Sequence, residues 1–350
     1  MKDIFIGGRV ISDVSPAFII AELSCNHLQN YELAEKTIIA MKESGADAVK
    51  FQTYTPDTLT LNSDSELFRI NQGTLWDSKT FYELYGEAYT PWEWQPKLKK
   101  LADELGMVCF SSPFDFTAVD FLEKMDVPAY KIASFEITDI PLIEYTASKG
   151  RPIIISTGIA HLEDIELAVE TVRRAGNEQI ILLKCTSAYP ASPEEANLLT
   201  MPDMADKFGV HIGISDHTHG SIVPVVSVSL GAKVIEKHFI LDRKLGGPDS
   251  AFSMEPDEFK KMVEDVRTAE ASLGKSDYIL TPKAENSRNF SRSLFIAEDV
   301  KKGEIMNEKN LRSVRPGYGL HPKYYKEILG KKAVCDLKKG TPASFDLFTD

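Results

Sequence analysis

The sequence predicts a (β/α)8 TIM barrel followed by a small β-rich domain. Three observations carry that prediction. Eight short apolar, β-branched runs alternate with helical segments along the first three quarters of the 350 residues. Most of these runs start 22 to 30 residues apart, the length of one strand–helix unit. Beyond about residue 275 the alternation stops.

The runs lie at 18–24, 46–52, 106–112, 129–136, 152–158, 180–187, 210–217 and 232–239. Each is continuously apolar rather than alternating, which suits strands covered on both faces of a parallel sheet. Between them, 30–45 carries apolar residues at helical spacing and stops at Gly45. The segments PWEWQPKLKKLADELG, EDIELAVETVRRAG and EPDEFKKMVEDVRTAEASLG behave similarly. One spacing is near 60 residues, so 54–95 is a long insertion. Eight units over about 270 residues match a barrel, for which about 250 is typical. A doubly wound sheet is the alternative, and it seldom supplies eight such regular units. The domain boundaries expected are 1–275 for the barrel, 276–290 for a polar linker, and 291–350 for the second domain, with two KKG surface hairpins.

Composition narrows the function. The formal charge is −12, from 40 Lys+Arg against 52 Asp+Glu, which argues against a nucleic-acid partner. Hydrophobic residues at 43% and charged residues at 26% exclude a disordered chain. No apolar run is long enough to span a membrane, and no signal peptide is expected at the N-terminus. The 4 widely spaced cysteines, with no CxxC, read as reduced thiols of a cytoplasmic protein.

A barrel of this kind keeps its chemistry at the C-terminal ends of its strands. The polar residues there are Glu22, Ser24, Asn26 and His27 in the first run, Lys50 and Gln52 in the second, and Ser111 and Ser112 in the third. Lys131, Ser134 and Glu136 follow in the fourth, Ser156 and Thr157 in the fifth, and Thr186, Ser187 and Tyr189 in the sixth. Ser215, Asp216 and His217 end the seventh, and Glu236 and His238 the eighth. Any one of these alone is most simply a solvent-facing or satisfied core residue. Together, Glu22, Lys50, Lys131, Glu136, Glu236 and His238, all ending apolar strands of one sheet, point instead to a polar site.

Three roles follow. His217 and His238 end neighbouring strands, and two neutral imidazoles suit a divalent transition ion with open positions. Lys50 and Lys131, with the hydroxyls, form a cradle for phosphate or carboxylate. Glu22 and Glu136 are carboxylates able to orient water or move protons, or else simply to pair with the lysines. The aromatic stretch GTLWDSKTFYELYGEAYTPWEWQP can wall a sugar pocket, although helix packing accounts for it as readily. GIAHLED reads as a loop and helix cap.

The motifs IIAELSCNH, GADAVKFQTY, FSSPFD, IISTGIA, KCTSAYP, GISDHT, GAKVIEKHF, GGPDSAFSMEP and LRSVRPGYG, in this order, resemble the sialic acid synthase family of nonulosonate synthases. The resemblance covers nearly the whole chain and makes the last domain an antifreeze-like (SAF) domain. It implies condensation of phosphoenolpyruvate with an open-chain amino sugar and water, releasing phosphate by C–O cleavage through a tetrahedral intermediate. It implies a divalent metal (Mn, Co or Mg) on His217 and His238. Phosphoenolpyruvate contacts carry over to Lys50, Ser112, Lys131, Ser134, Ser156, Ser187 and Ser215. Relatives often have Thr in place of Ser112, and the sialic branch has Asn in place of Ser187. Sugar contacts carry over to Glu22, Tyr189, Asp249, Arg315 and, within the insertion, Asn71. Catalytic roles fall on Glu22, Glu136, His217 and His238. The family also implies a homodimer in which the C-terminal domain, bearing Arg315, caps the partner's barrel. QTYTPDTLTLNSDSELFRI, LWDSKTFYELYGEAYTPWEW and RPGYGLHPKYY most resemble the branch whose sugar is 2,4-diacetamido-2,4,6-trideoxy-L-altrose. The alternatives are an N-acetylneuraminate or legionaminic acid synthase, a Schiff-base aldolase using Lys131, and a non-catalytic binding protein.

Overall fold

All eight apolar runs form strands: Phe18–Glu22, Ala48–Thr53, Val108–Pro113, Tyr130–Ile132, Ile153–Ser156, Ile180–Cys185, His211–Asp216 and Val234–His238. In the computed structural model, which describes residues 1–71, 73 and 76–350, they close into one barrel in chain order. Every neighbouring pair is parallel, and the eighth strand closes on the first with His238 opposite Glu22. The fourth strand is shorter than its apolar run, because Ser134–Glu136 turns into a 3-10 helix.

Alternation along a strand sorts its side chains into two sets. Ile19, Ala21, Val49, Ile153, Ile155, Ile180, Leu182, Ile212, Ile214 and Ile235 face the helices in one buried cluster. Phe18, Ile20, Ala48, Val108, Phe110, Ile154, Ile181, Leu183 and Val234 belong to a second cluster and fill the barrel. Burying each such side chain contributes about 1.5–3 kcal/mol. Two residues further along each strand, the inward position changes character. Ile20 gives way to Glu22, Ala48 to Lys50, Phe110 to Ser112, Ile154 to Ser156 and Val234 to Glu236. The apolar layers therefore form a floor beneath a polar layer at the C-terminal ends.

The helices start where their caps lie. The Asn30 side chain accepts the Leu33 amide at the head of Tyr31–Glu43. GIAHLED behaves as a loop and cap: the His161 amide donates to the Asp164 carboxylate at 2.9 Å before Leu162–Arg174. That helix has acidic residues in its first turn and Arg173 and Arg174 in its last, matching its dipole. The insertion carries the helices Pro56–Leu59 and Phe81–Ala88, the latter begun by a Thr80/Glu83 capping box.

An N-terminal hairpin, Ile4–Ile6 with Arg9–Ile11, sends Ile4, Ile6 and Ile11 into the barrel-filling cluster. Gly7 and Gly8 turn it with positive φ of 55° and 81°. A side chain at Gly7 would meet Val108 at 2.9 Å.

The chain divides into two units, Met1–Gly274 and Lys275–Asp350. The polar stretch at the start of the second is not featureless, since Pro282–Ser287 is helical and Arg288–Phe290 is a 3-10 turn. Thr281 at the cap and Pro282 at the first helical position supply the local reason. The rest pairs Ser293–Ile296 with Leu311–Val314 and Lys332–Ala333 with Phe348–Thr349, both antiparallel. Its core holds Leu294, Ile296, Val300, Met306, Leu311, Ile328, Leu337 and Phe348. The two KKG turns brace each other. Asp336 receives the Lys302 amide and the Lys301 ammonium, and Asp299 receives the Lys339 amide and the Lys338 ammonium. No helix among the described residues is long and apolar enough to cross a membrane.

Candidate active site

Lys50 stands at the centre of the polar layer. Its Nζ lies 2.8 Å from Glu22 Oε2 and 2.8 Å from Glu236 Oε1. All three side chains are within 4% of full burial. Lys131 Nζ is 3.7 Å from the same Glu236 oxygen and donates to Ser156 Oγ at 2.6 Å. Ser215 Oγ donates to Glu236 Oε1 at 3.0 Å. Strand register makes this possible: Glu22 pairs with Lys50, and Ser215 with Glu236, across adjacent strands.

The network is costly to bury and therefore polarises its members. Burial alone would push the Glu22 carboxyl up, yet Lys50 and His238 hold it well below the usual range. Burial would lower Lys50, but Glu22 and Glu236 more than offset that and raise it. Lys131 goes the other way: burial lowers it, and Glu236 restores only part. Glu136 stands apart from this pairing. Burial raises its carboxyl to about 7, with Lys131 offsetting part of the rise, and its Oε2 has no hydrogen-bond partner. The carboxylate that shares Lys50 with Glu22 is thus Glu236 rather than Glu136.

The histidines end the last two strands with ring centroids 5.3 Å apart. His217 Nδ1 lies 3.0 Å from the Thr186 carbonyl, which fixes a proton there and leaves the Nε2 lone pair. His238 sets Nε2 3.3 Å from Glu22 Oε2 and Nδ1 3.5 Å from Asp249 Oδ2. His238 Nδ1 has no hydrogen-bond partner among the described residues. The described residues hold no group of three or more His, Cys, Asp or Glu side chains placed to grip a metal. Two imidazoles with a spare ring nitrogen, beside carboxylates, fit a divalent cation whose other positions are filled by substrate or water. The Tyr189 ring lies tilted 4.5 Å from His217, and Phe252 lies 5.0 Å from both Tyr189 and His238.

Hydroxyls complete the rim. Ser112 Oγ and Ser187 Oγ are buried with no hydrogen-bond partner among the described residues. Ser134 Oγ accepts the Gly158 amide at 3.2 Å. A side chain at Gly158 would meet Ser187 Oγ at 2.1 Å and Ser134 Oγ at 2.8 Å, so only glycine lets these hydroxyls converge.

Of the residues singled out from sequence, Glu22, Lys50, Lys131, Ser156, Ser215, His238 and Asp249 are joined by direct contacts. Asn71 is exposed on the insertion. Arg315 is exposed in the second unit. His27, a strand-end candidate, is a satisfied core residue: it is buried against Thr90 at 3.1 Å, and burial lowers it to about 4. Two more of the strand-end residues, Gln52 and Ser24, join the network. Gln52 donates to Glu22 Oε1 at 2.8 Å and to Ser24 Oγ at 3.1 Å. Ser24 donates to Asp249 from a left-handed backbone with φ 47°.

A closed parallel barrel with a buried, ion-paired layer at its C-terminal mouth defines the class: a TIM-barrel protein with the site built on its strand ends. The chain belongs to the NeuB family, matched over residues 37–278, and carries a SAF domain over residues 291–349. It is 51% identical over 334 residues to a pseudaminic acid synthase of Helicobacter pylori, covering 95% of this chain and 98% of that one. It is 50% identical over 323 residues to the pseudaminic acid synthase of Campylobacter jejuni, covering 92% and 94%. Among solved structures, the N-acetylneuraminic acid synthetase of Leptospira borgpetersenii, in complex with citrate, superposes with a TM-score of 0.73 at 30% identity over 82% of this chain and 95% of that one.

Proposed function

We propose that this protein is a pseudaminic acid synthase, a transferase that condenses phosphoenolpyruvate with 2,4-diacetamido-2,4,6-trideoxy-L-altrose and water. The observation that carries this reading is the identity of about half to two pseudaminic acid synthases over more than nine tenths of the chain. The mouth is chemically suited to it. Lys50 and Lys131 offer two fixed cations, and Ser112 and Ser187 offer hydroxyls with no protein partner, for a small phosphorylated carboxylate.

In the reaction, C3 of phosphoenolpyruvate attacks the sugar aldehyde, water adds at C2, and the tetrahedral intermediate loses phosphate. A divalent cation such as Mn, Co or Mg, held by His217 and His238, would polarise the aldehyde. Glu136, with a carboxyl near neutrality, gives up or takes a proton around pH 7. Glu22, ionised by Lys50, orients rather than titrates. Tyr189 and Asp249 border the sugar side.

The working form we propose is a homodimer in which the C-terminal domain of one subunit brings Arg315 to the partner's mouth. Exposed apolar side chains follow five successive strands, namely Phe116, Phe135, Ile159, Leu199 and Ile222, and a collar of that kind suits a covered surface. Mixing Arg315→Ala with Lys50→Met subunits then restores activity; two inactive partners that stay inactive argue against sharing.

Mass spectrometry of the product from phosphoenolpyruvate and three candidate sugars tests the assignment. Consumption of N-acetylmannosamine or the legionaminic precursor in preference to the L-altrose sugar overturns it. A Schiff-base aldolase is the second reading, favoured by the burial that lowers Lys131. Borohydride trapping of substrate on Lys131 would establish it in place of the synthase.

A further inference from the structure

The insertion between the second and third barrel strands has no task in the reaction as described, yet its aromatic residues reach the mouth. Trp76 lies with its ring 5.8 Å from Tyr189, which is itself 4.5 Å from His217. The indole Nε1–H donates to the Pro248 carbonyl at 3.0 Å. Pro248 immediately precedes Asp249, which contacts His238 and Ser24. Trp76 is thereby tied to the loop that lines the sugar side. Tyr54, at the root of the insertion, is buried and packs edge-on against Tyr85 at 5.7 Å and Phe114 at 5.1 Å.

We propose that Trp76 is the specificity wall for the far end of the sugar, selecting a 6-deoxy chain over its 6-hydroxy counterpart. This rests on the synthase reading above. The argument is one of polarity and reach. Indole has a single polar atom, a donor, and Pro248 occupies it. What the ring offers the cavity is therefore apolar. On the synthase reading the aldehyde end would lie at the histidines, with Tyr189 the next ring and Trp76 one ring further out, where an open six-carbon chain would end. A terminal methyl packs there without loss. A terminal hydroxyl gives up water there and gains no hydrogen bond from the indole, whose one donor is taken.

The test measures kcat/KM for 2,4-diacetamido-2,4,6-trideoxy-L-altrose and for the same sugar carrying a 6-hydroxyl, in the wild-type protein, Trp76→Ala and Trp76→Phe. An apolar pocket discriminates against an added hydroxyl by about 10- to 100-fold. That preference is expected in the wild type, reduced to about threefold or less in Trp76→Ala, and largely retained in Trp76→Phe, with the KM for phosphoenolpyruvate unchanged. A wild-type preference that survives Trp76→Ala overturns the wall alone. An equal loss of activity toward both sugars overturns it too, since it marks a structural role. If the wild type turns over neither L-altrose sugar, the synthase reading falls and takes this inference with it.

Discussion

The barrel mouth and the C-terminal domain both pair lysine with carboxylate at the same distance, 2.8 Å for Lys50 to Glu22 and 2.8 Å for Lys338 to Asp299. The first pair is 3% and 4% exposed, and the second 82% and 57%. In water the attraction is screened and the long side chains lose entropy, so the outer pairs brace turns without holding the domain together. Inside the barrel the charges have left water and depend on one another. A wholly apolar layer there would be easier to fold. The buried network therefore points to function, whereas the exposed pairs mark a surface.

The largest expected effect breaks the inner network at its centre. Lys50→Met removes the cation that Glu22 and Glu236 share, leaving Lys131 at 3.7 Å as the nearest lysine to Glu236, and destabilises by about 3–5 kcal/mol in urea unfolding while removing measurable turnover. A variant of native stability would show that the pair costs as much as it gives.

Next comes the pH response of Glu136. Its raised carboxyl means the native state binds the proton more tightly than the unfolded chain. That contribution is full at acid pH and lost as pH rises through about 7. Glu136→Gln should therefore raise Tm at pH 8, and the advantage should fade as pH drops below 7. A Tm difference that is flat with pH would mean that Glu136 is not desolvated. The wild-type pH–rate inflection near 7 should also vanish in the variant's residual activity.

A smaller effect separates binding from folding. Ser112→Ala removes a buried hydroxyl that no protein group satisfies. Stability should hold or rise by about 1 kcal/mol, while the KM for phosphoenolpyruvate rises about tenfold. A stability loss with unchanged KM would make Ser112 structural. The smallest effect lies in the outer turns. Asp336→Asn should move Tm only at the edge of detection, and high salt should erase the shift.

Much of this was legible in the residues. Each strand announced itself as an apolar run, because a strand covered on both faces has no polar side to show. The ends of those runs named the charged layer. Some features were not legible. The hairpin at Gly7 and Gly8 went unread although a Gly-Gly turn between apolar pairs signals it, and the helix after Thr281 hid in a polar stretch whose Thr-Pro cap marks it. Gln52 was seen as a strand end, but its bridge from Glu22 to Ser24 depends on where the next strand lies.

By itself the sequence determined the barrel and put charged and hydroxyl residues at the ends of its strands. Periodicity and burial act locally, so a strand carries its own record of which side is covered. Partnership does not. That Glu236 rather than Glu136 shares Lys50 with Glu22, that Gly158 must lack a side chain, and that Trp76 stands beside Tyr189 follow from closing the sheet and folding the insertion back. Only the tertiary structure decided them, because Coulomb and packing terms depend on distances between residues far apart in the chain.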